Sequence, residues 1–228
     1  MKKQSEVSMY DPRIDRLQCI LCKESADLFF TDERTRQSYL HCICCDLRFL
    51  NPSFRLDPLD EKDRYLTHNN DVNDSRYQNF VSPLYQLIKA NIHSTSTGLD
   101  YGCGTGPVLT HLLSADGYDI ALYDPYFMPD QSVLDAKYDF IFAVEVAEHF
   151  FDPASELLRL KELLKSGGNL MFMTLIYSAD IDFGSWYYRR DPTHVCFYSE
   201  HTFNWIKEQH GFKSFKNFGN RIAWLYSP

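Results

Sequence analysis

The chain has 228 residues, 44% of them apolar and 24% charged, which suits one globular domain with a small additional segment. No stretch approaches the ~20 uninterrupted apolar residues of a bilayer span, and the start, MKKQSEVSMYDPR, lacks the hydrophobic core of a secretory signal, so a cytoplasmic location without membrane attachment is expected. The 23 Lys+Arg against 31 Asp+Glu give a net charge of −8, which disfavours broad attraction to nucleic acid or anionic lipid.

Five of the seven cysteines lie between Cys19 and Cys45. Cys19-x2-Cys22 and Cys42-x2-Cys45 have the spacing of a four-Cys zinc ribbon, in which two hairpin knuckles supply thiolates to one tetrahedral ion. Four protein ligands leave no open position, so such a zinc is structural, standing in for a core that ~40 residues cannot build. His41 and Cys44 are alternative ligands, and the symmetric spacing favours Cys42 with Cys45. The blander reading makes the cysteines small buried hydrophobes. Residues 1–56 are thus expected to form a zinc-ribbon-like segment, and 57–97 a helical lid or connector with an amphipathic helix around Phe80–Ile92. Tyr65, His68, Asn69, Asn70 and Tyr77 belong to that lid, or to a solvated linker.

From Gly98 onward, short apolar runs alternate with helical patterns. TGLDYG reads as a buried strand and PVLTHLLSADG as a helix with Pro107 in its first turn and Gly117 at its stop. YDIALYD and YDFIFAVEV are further strands, DPASELLRLKELLKSGG a helix, and GNLMFMTLI a strand. HTFNWIKEQHG is a helix before two closing strands. This alternation predicts a doubly wound, mostly parallel α/β sheet over 98–228.

Ligands of such sheets bind at the carboxyl ends of the strands, here at Asp100-Tyr101-Gly102-Cys103-Gly104-Thr105-Gly106. Three alternate glycines let the backbone bend sharply and approach a ligand closely. A dinucleotide fingerprint requires glycine at 107, where Pro107 stands, and no Gly-Lys-Ser/Thr follows to make a P-loop. Asp124 ends the next strand, where a carboxylate can accept both hydroxyls of a ribose. Taken singly, the glycines are those of an ordinary strand-to-helix turn and Asp124 is a cap. Together they point to a nucleoside without a pyrophosphate.

LDYGCGTG, the acidic end of IALYD, YDFIFAVEVAEHFFDP and LLKSGGNLMFMT, in this order, make residues 75–228 resemble a class I S-adenosylmethionine-dependent methyltransferase with a Rossmann-like, seven-stranded-type sheet. The resemblance implies that the loop holding Asp100, Tyr101, Gly102, Gly104 and Gly106 carries the methionine portion of S-adenosylmethionine. It also implies that Asp124 binds the ribose, that Pro125 and Tyr126 lie beside the adenine, and that Glu145 lines the pocket near the methyl. Only DPYFMPDQSVLDAKY separates Asp124 from Asp139, so the usual third strand and its crossover helix are shortened. Asp135 is left as a weak contact for the adenine amine.

Methyl transfer is an in-line displacement, so a protein contributes chiefly by positioning, with a general base where the acceptor needs one. His194, in the aromatic and charged stretch GSWYYRRDPTHVCFYSEHTF, is one candidate base, and His149 in VAEHFFDP is the other. Glu148 either orients that imidazole or faces water. Arg189 and Arg190 are a candidate clamp for an anionic acceptor.

The expected activity is methylation of O, N or C in a small molecule. The knuckles ahead of this core resemble those of bacterial small-molecule methyltransferases, sugar C-methyltransferases among them, although nothing here marks a sugar. The alternatives are an RNA base methyltransferase and a non-catalytic cofactor-binding or interaction module. Residues 1–70 hold 11 Lys+Arg and 12 Asp+Glu, a difference of −1, whereas an RNA-docking ribbon should be basic.

Overall fold

The computed structural model describes residues 16–67 and 71–228; His68, Asn69 and Asn70 of the expected lid therefore lie outside the described residues. Two sheets organise the fold. The first is antiparallel, in the order β1 (Arg16–Gln18), β2 (Ser25–Thr31), β3 (Ser38–His41), β4 (Arg48–Leu50) and then β9 (Cys196–Phe197), which comes from far along the chain. Its two cysteine knuckles are built alike. Cys19 N–H donates to Glu24 O at 2.7 Å and Lys23 N–H to Cys19 O at 3.0 Å; in the second knuckle Cys42 donates to Leu47 O and Asp46 to Cys42 O. Lys23 and Asp46 occupy equivalent left-handed positions, with φ 65° and 58°.

Two helices follow. α1 (Pro58–Leu66) has Pro in its first turn and an Asp57 cap accepting from Leu59 and Asp60 N–H. α2 (Ser75–Asn91) begins five residues before the apolar pattern suggests, because Asp74 caps it by accepting from Arg76 N–H. Val81, Leu84 and Ile88, spaced three and four apart, form its buried stripe.

The second sheet is formed by β5 (Thr97–Tyr101), β6 (Asp119–Tyr123), β7 (Tyr138–Val144), β8 (Leu164–Met173), β10 (Ser214–Phe218) and β11 (Ile222–Tyr226). Its spatial order is β10-β11-β8-β7-β5-β6, parallel from β8 to β6 and antiparallel at β11 and β10. Helices α3 (Val108–Ala115), α4 (Pro153–Leu163) and α5 (Glu200–Gln209) connect these strands. The α/β reading is met, with two corrections. Among the described residues the sheet has six strands rather than seven, because residues 125–137 supply only a tight bridge and the 3-10 turn Gln131–Asp135. The helix expected to run through LKSGG stops at Leu163, and Leu164–Gly168 instead begin β8, where Leu164 aligns with Tyr138.

The two sheets share one apolar core. Cys19, Leu47, Phe49 and Tyr39 of the first pack into the same buried cluster as Ile141, Leu170 and Phe172 of the second. The seam is a backbone zipper. Leu50 N–H donates to Val195 O at 2.9 Å, and Val195 N–H donates to Glu148 O at 2.8 Å. Residues 193–197 therefore bridge the ribbon to the turn after β7.

Candidate active site

A cavity of about 1270 Å³ opens at the carboxyl ends of β5, β6 and β7. It exceeds the ~300–1000 Å³ of a single small-ligand pocket, so it has room for two small reactants side by side. Asp100 through Pro107, Asp124 through Phe127, and Glu145 and Val146 line its base; His149, Tyr187, Tyr188, Arg190, Asp191 and His194 line its far end.

The glycine loop is shaped by backbone needs. Gly102 and Gly104 have φ of +84° and +61°, in the left-handed region that side chains disfavour. A Cβ on Gly102 would come within 2.5 Å of Val146 Cγ2, so the loop packs directly on the turn after β7. Asp124 fixes the loop from the other side. Its Oδ2 accepts Gly104 N–H at 2.9 Å, while Oδ1 accepts Tyr126 and Phe127 N–H at 2.8 and 3.0 Å. Three of roughly four acceptor sites are thereby filled, leaving one for a ligand hydroxyl where the sequence alone suggested two. Asp124 is only 7% exposed yet borders the cavity.

Asp100 is also buried. It accepts the Thr110 hydroxyl at 2.6 Å, and burial pushes its carboxyl up to about 7. Tyr101 faces Tyr123 and donates its hydroxyl to Glu156. Pro125 is exposed at the rim, and Asp135 is exposed and away from the cavity. Glu145 follows β7 with φ 52° and sits 3.4 Å from Arg221 Nη1. Burial, and then the neighbouring Glu148 carboxylate, push Glu145 up to about 9.

His149 and His194 meet at the far end, with ring centroids 4.8 Å apart. His149 Nδ1 lies 2.9 Å from Thr193 O and His194 Nδ1 lies 2.7 Å from Tyr188 O. A carbonyl only accepts, so each Nδ1 carries a hydrogen, and in the neutral tautomer of either ring the lone pair is on Nε2. Burial, opposed by Glu148, lowers the His194 pKa and favours that neutral form. Glu148 does not face water: it is 0% exposed and accepts the Tyr188 hydroxyl.

Helix α1 covers the cavity, and sequence reasoning missed its main contacts. Glu61 is buried and accepts the Tyr65 and Tyr126 hydroxyls, each at 2.7 Å, while Arg64 Nη2 pairs with Asp191 Oδ2 at 2.5 Å. The only local signal is an acid on the inward face of a short helix. Arg189 is no acceptor clamp. It is buried in the seam, bonded to Phe183 O, Gly184 O and Asp32, and stacked on Phe30; only Arg190 borders the cavity.

The structure brings Cys19, Cys22, Cys42 and Cys45 together. Sγ atoms of Cys19 and Cys45 are 3.6 Å apart and those of Cys22 and Cys42 are 3.3 Å apart. Zinc–thiolate bonds of about 2.3 Å give tetrahedral S–S edges of about 3.8 Å, so the donor set suits that ion and the spacing is far beyond a disulfide. Sharing a hydrogen with Cys45 lowers the Cys19 thiol to about 5. His41 is instead bonded to Asp46 at 2.6 Å, and Cys44 is exposed.

Comparison with known proteins agrees with this architecture. A family model described as a methyltransferase domain matches residues 73–216, and the chain belongs to that family. It is an S-adenosylmethionine-dependent methyltransferase. Burkholderia thailandensis 1,6-didemethyltoxoflavin-N1-methyltransferase, solved with 1,6-didemethyltoxoflavin and S-adenosylhomocysteine, superposes with a TM-score of 0.53 at 11% identity, covering 88% of this chain and 98% of that one. Human N-acetylserotonin methyltransferase, solved with S-adenosylmethionine, gives 0.52 at 12% identity over 73% of this chain and 56% of that one. No curated protein matches in sequence. Among the described residues, no helix is long and apolar enough to cross a membrane.

Proposed function

We propose that the protein methylates a small molecule bound in the far half of the cavity, with S-adenosylmethionine in the half floored by the glycine loop. The single observation that carries this reading is the continuity of the cavity from Gly102 and Asp124 to His149 and His194. The fit of the cofactor rests on the loop's side-chain-free backbone and on the one acceptor site left on Asp124. When bound, S-adenosylmethionine supplies an electrophilic methyl group.

The chain's own contribution is then positional. Gly102 and Gly104 would admit the amino-acid end of the cofactor, Asp124 would accept one ribose hydroxyl, and Tyr126 and Pro125 would flank the base. Glu145 borders the cavity between the two halves. His149 and His194 offer Nε2 lone pairs to an acceptor O–H or N–H, either of which can take its proton. α1 excludes water through the Glu61 and Arg64 contacts. The aromatic far wall of Tyr187 and Tyr188 suits a small, partly apolar acceptor. We assign the four-Cys site to a structural zinc that stiffens the ribbon and, through β4 and β9, the segment bearing His194.

The test is transfer of labelled methyl from S-adenosylmethionine to a panel of small hydroxylated, aminated and enolisable acceptors. The reading expects turnover with at least one class and a steep loss in the His149→Ala, His194→Ala double variant. Cofactor binding without turnover across the panel would favour the non-catalytic module.

A further inference from the structure

Glu148, His149 and His194 form a second group of metal-ligand side chains, separate from the cysteines, whose ligand atoms all lie within 4.8 Å of one another. All three present acceptors. Both imidazoles donate Nδ1–H to backbone carbonyls, which leaves lone pairs on Nε2. Glu148 Oε1 takes the Tyr188 hydroxyl, whereas Oε2 is fully buried with no hydrogen-bond partner. Neither Nε2 has a hydrogen bond among the described residues, and both rings border the cavity.

A buried carboxylate oxygen without a donor is costly, and a cation held between Glu148 and the two half-buried imidazoles satisfies it. The surroundings match those of metal-binding histidines, which typically donate their second ring N–H to a carbonyl or carboxylate. Thr193 O and Tyr188 O fill that role for the two imidazoles, and the Tyr188 hydroxyl, itself 3.0 Å from Thr174 Oγ1, orients the carboxylate.

We propose that Glu148, His149 Nε2 and His194 Nε2 bind a divalent transition-metal ion, with its open coordination positions facing the cavity. Two imidazoles and one carboxylate suit Fe2+, Co2+, Mn2+ or Zn2+ and not Mg2+ or Ca2+, which prefer all-oxygen shells. Metal–nitrogen bonds of about 2.1 Å require the three side chains to close inward by roughly an ångström each. The open positions would take an oxygen or nitrogen of the acceptor, selecting chelating molecules such as vicinal diols, catechols or hydroxy acids; with both Nε2 lone pairs committed to the ion, the ion in place of an imidazole base would ease loss of the acceptor's proton. This substrate assignment deepens the reading of the cavity as a methyl-transfer site and rests on it; the metal site itself does not.

The test is titration with Co2+ of the full chain carrying a single equivalent of zinc, which the soft four-thiolate site takes first and which leaves the second site free, followed by visible absorption. The expected result is one further equivalent with weak ligand-field bands and no thiolate charge-transfer band, which marks it as distinct from the cysteines. His194→Ala and His149→Ala should each weaken this Co2+ by about tenfold or more, and Glu148→Gln likewise, while Cys44→Ser leaves it unchanged. Because Glu148 is buried, the histidine variants decide the matter if Glu148→Gln does not fold. Absence of a second Co2+, or one of equal affinity in both histidine variants, overturns the proposal. Co2+ binding in a protein that transfers no methyl group would sustain the metal site and fail the function proposed above.

Discussion

Asp124→Asn gives a quantitative test of how the glycine loop is held. The change preserves size but replaces one carboxylate oxygen with an NH2 group, which donates and cannot accept. The best arrangement keeps the amide carbonyl on Tyr126 and Phe127 N–H and turns the NH2 toward Gly104 N–H, so two donors oppose each other where a 2.9 Å bond stood. A hydrogen bond to a charged group contributes about 1.5–3 kcal/mol and a neutral one about 0.5–1.5 kcal/mol. One bond lost and two demoted from charged to neutral therefore cost about 3 kcal/mol or more. For a chain of this length each kcal/mol lowers Tm by about 2–4 °C, so the expected drop is about 6–12 °C. Circular dichroism at 222 nm, followed through thermal unfolding at neutral pH, measures it. A drop below about 2 °C would refute the reasoning, because Asp124 would then contribute nothing to the loop.

Other outcomes follow from the same structure. Burial raises Asp100 to about 7, above its unfolded value, so its contribution is full below about pH 4 and is lost as pH rises through 7. Asp100→Asn should flatten that decline, on the order of 4 kcal/mol, in denaturant unfolding across this range; an unchanged pH profile would contradict the assignment. Cys42→Ser should remove one zinc per chain by elemental analysis and lower Tm by several degrees; retained zinc would point to another ligand set. Glu61→Gln leaves one acceptor oxygen for two tyrosine hydroxyls, so amides of residues 58–66 should exchange faster while those of β7 do not. Equal exchange in α1 would mean that the Glu61 contacts do not hold the helix down.

The parts legible in the sequence are those fixed by short-range backbone demands. A left-handed turn requires Gly102 and Gly104 locally, and the two knuckles require cysteines three apart with a left-handed residue after each pair. β5, β6 and β7 were visible because buried parallel strands read as short apolar runs. The start of β8 was not, because LLKSGG equally suits a helix terminus, and only pairing of Leu164 with Tyr138 decides it. Glu148 illustrates the same limit at the site. Its neighbours in sequence say nothing of Tyr188, forty residues away, which fixes its burial. Likewise the pairing of Phe49 with Cys196, which ties the ribbon to the segment carrying His194, joins chain regions no local pattern connects.

The central claim is that the hollow between Gly102 and Asp124 receives the nucleoside of S-adenosylmethionine. Isothermal titration of the chain with S-adenosylhomocysteine tests it most directly, compared with Gly102→Ala, whose new Cβ would press on Val146 and tilt the loop. Saturable binding at one site per chain, weakened about tenfold or more in a variant that remains folded, is the expected result. No binding, or an equal affinity in the folded variant, would contradict the account.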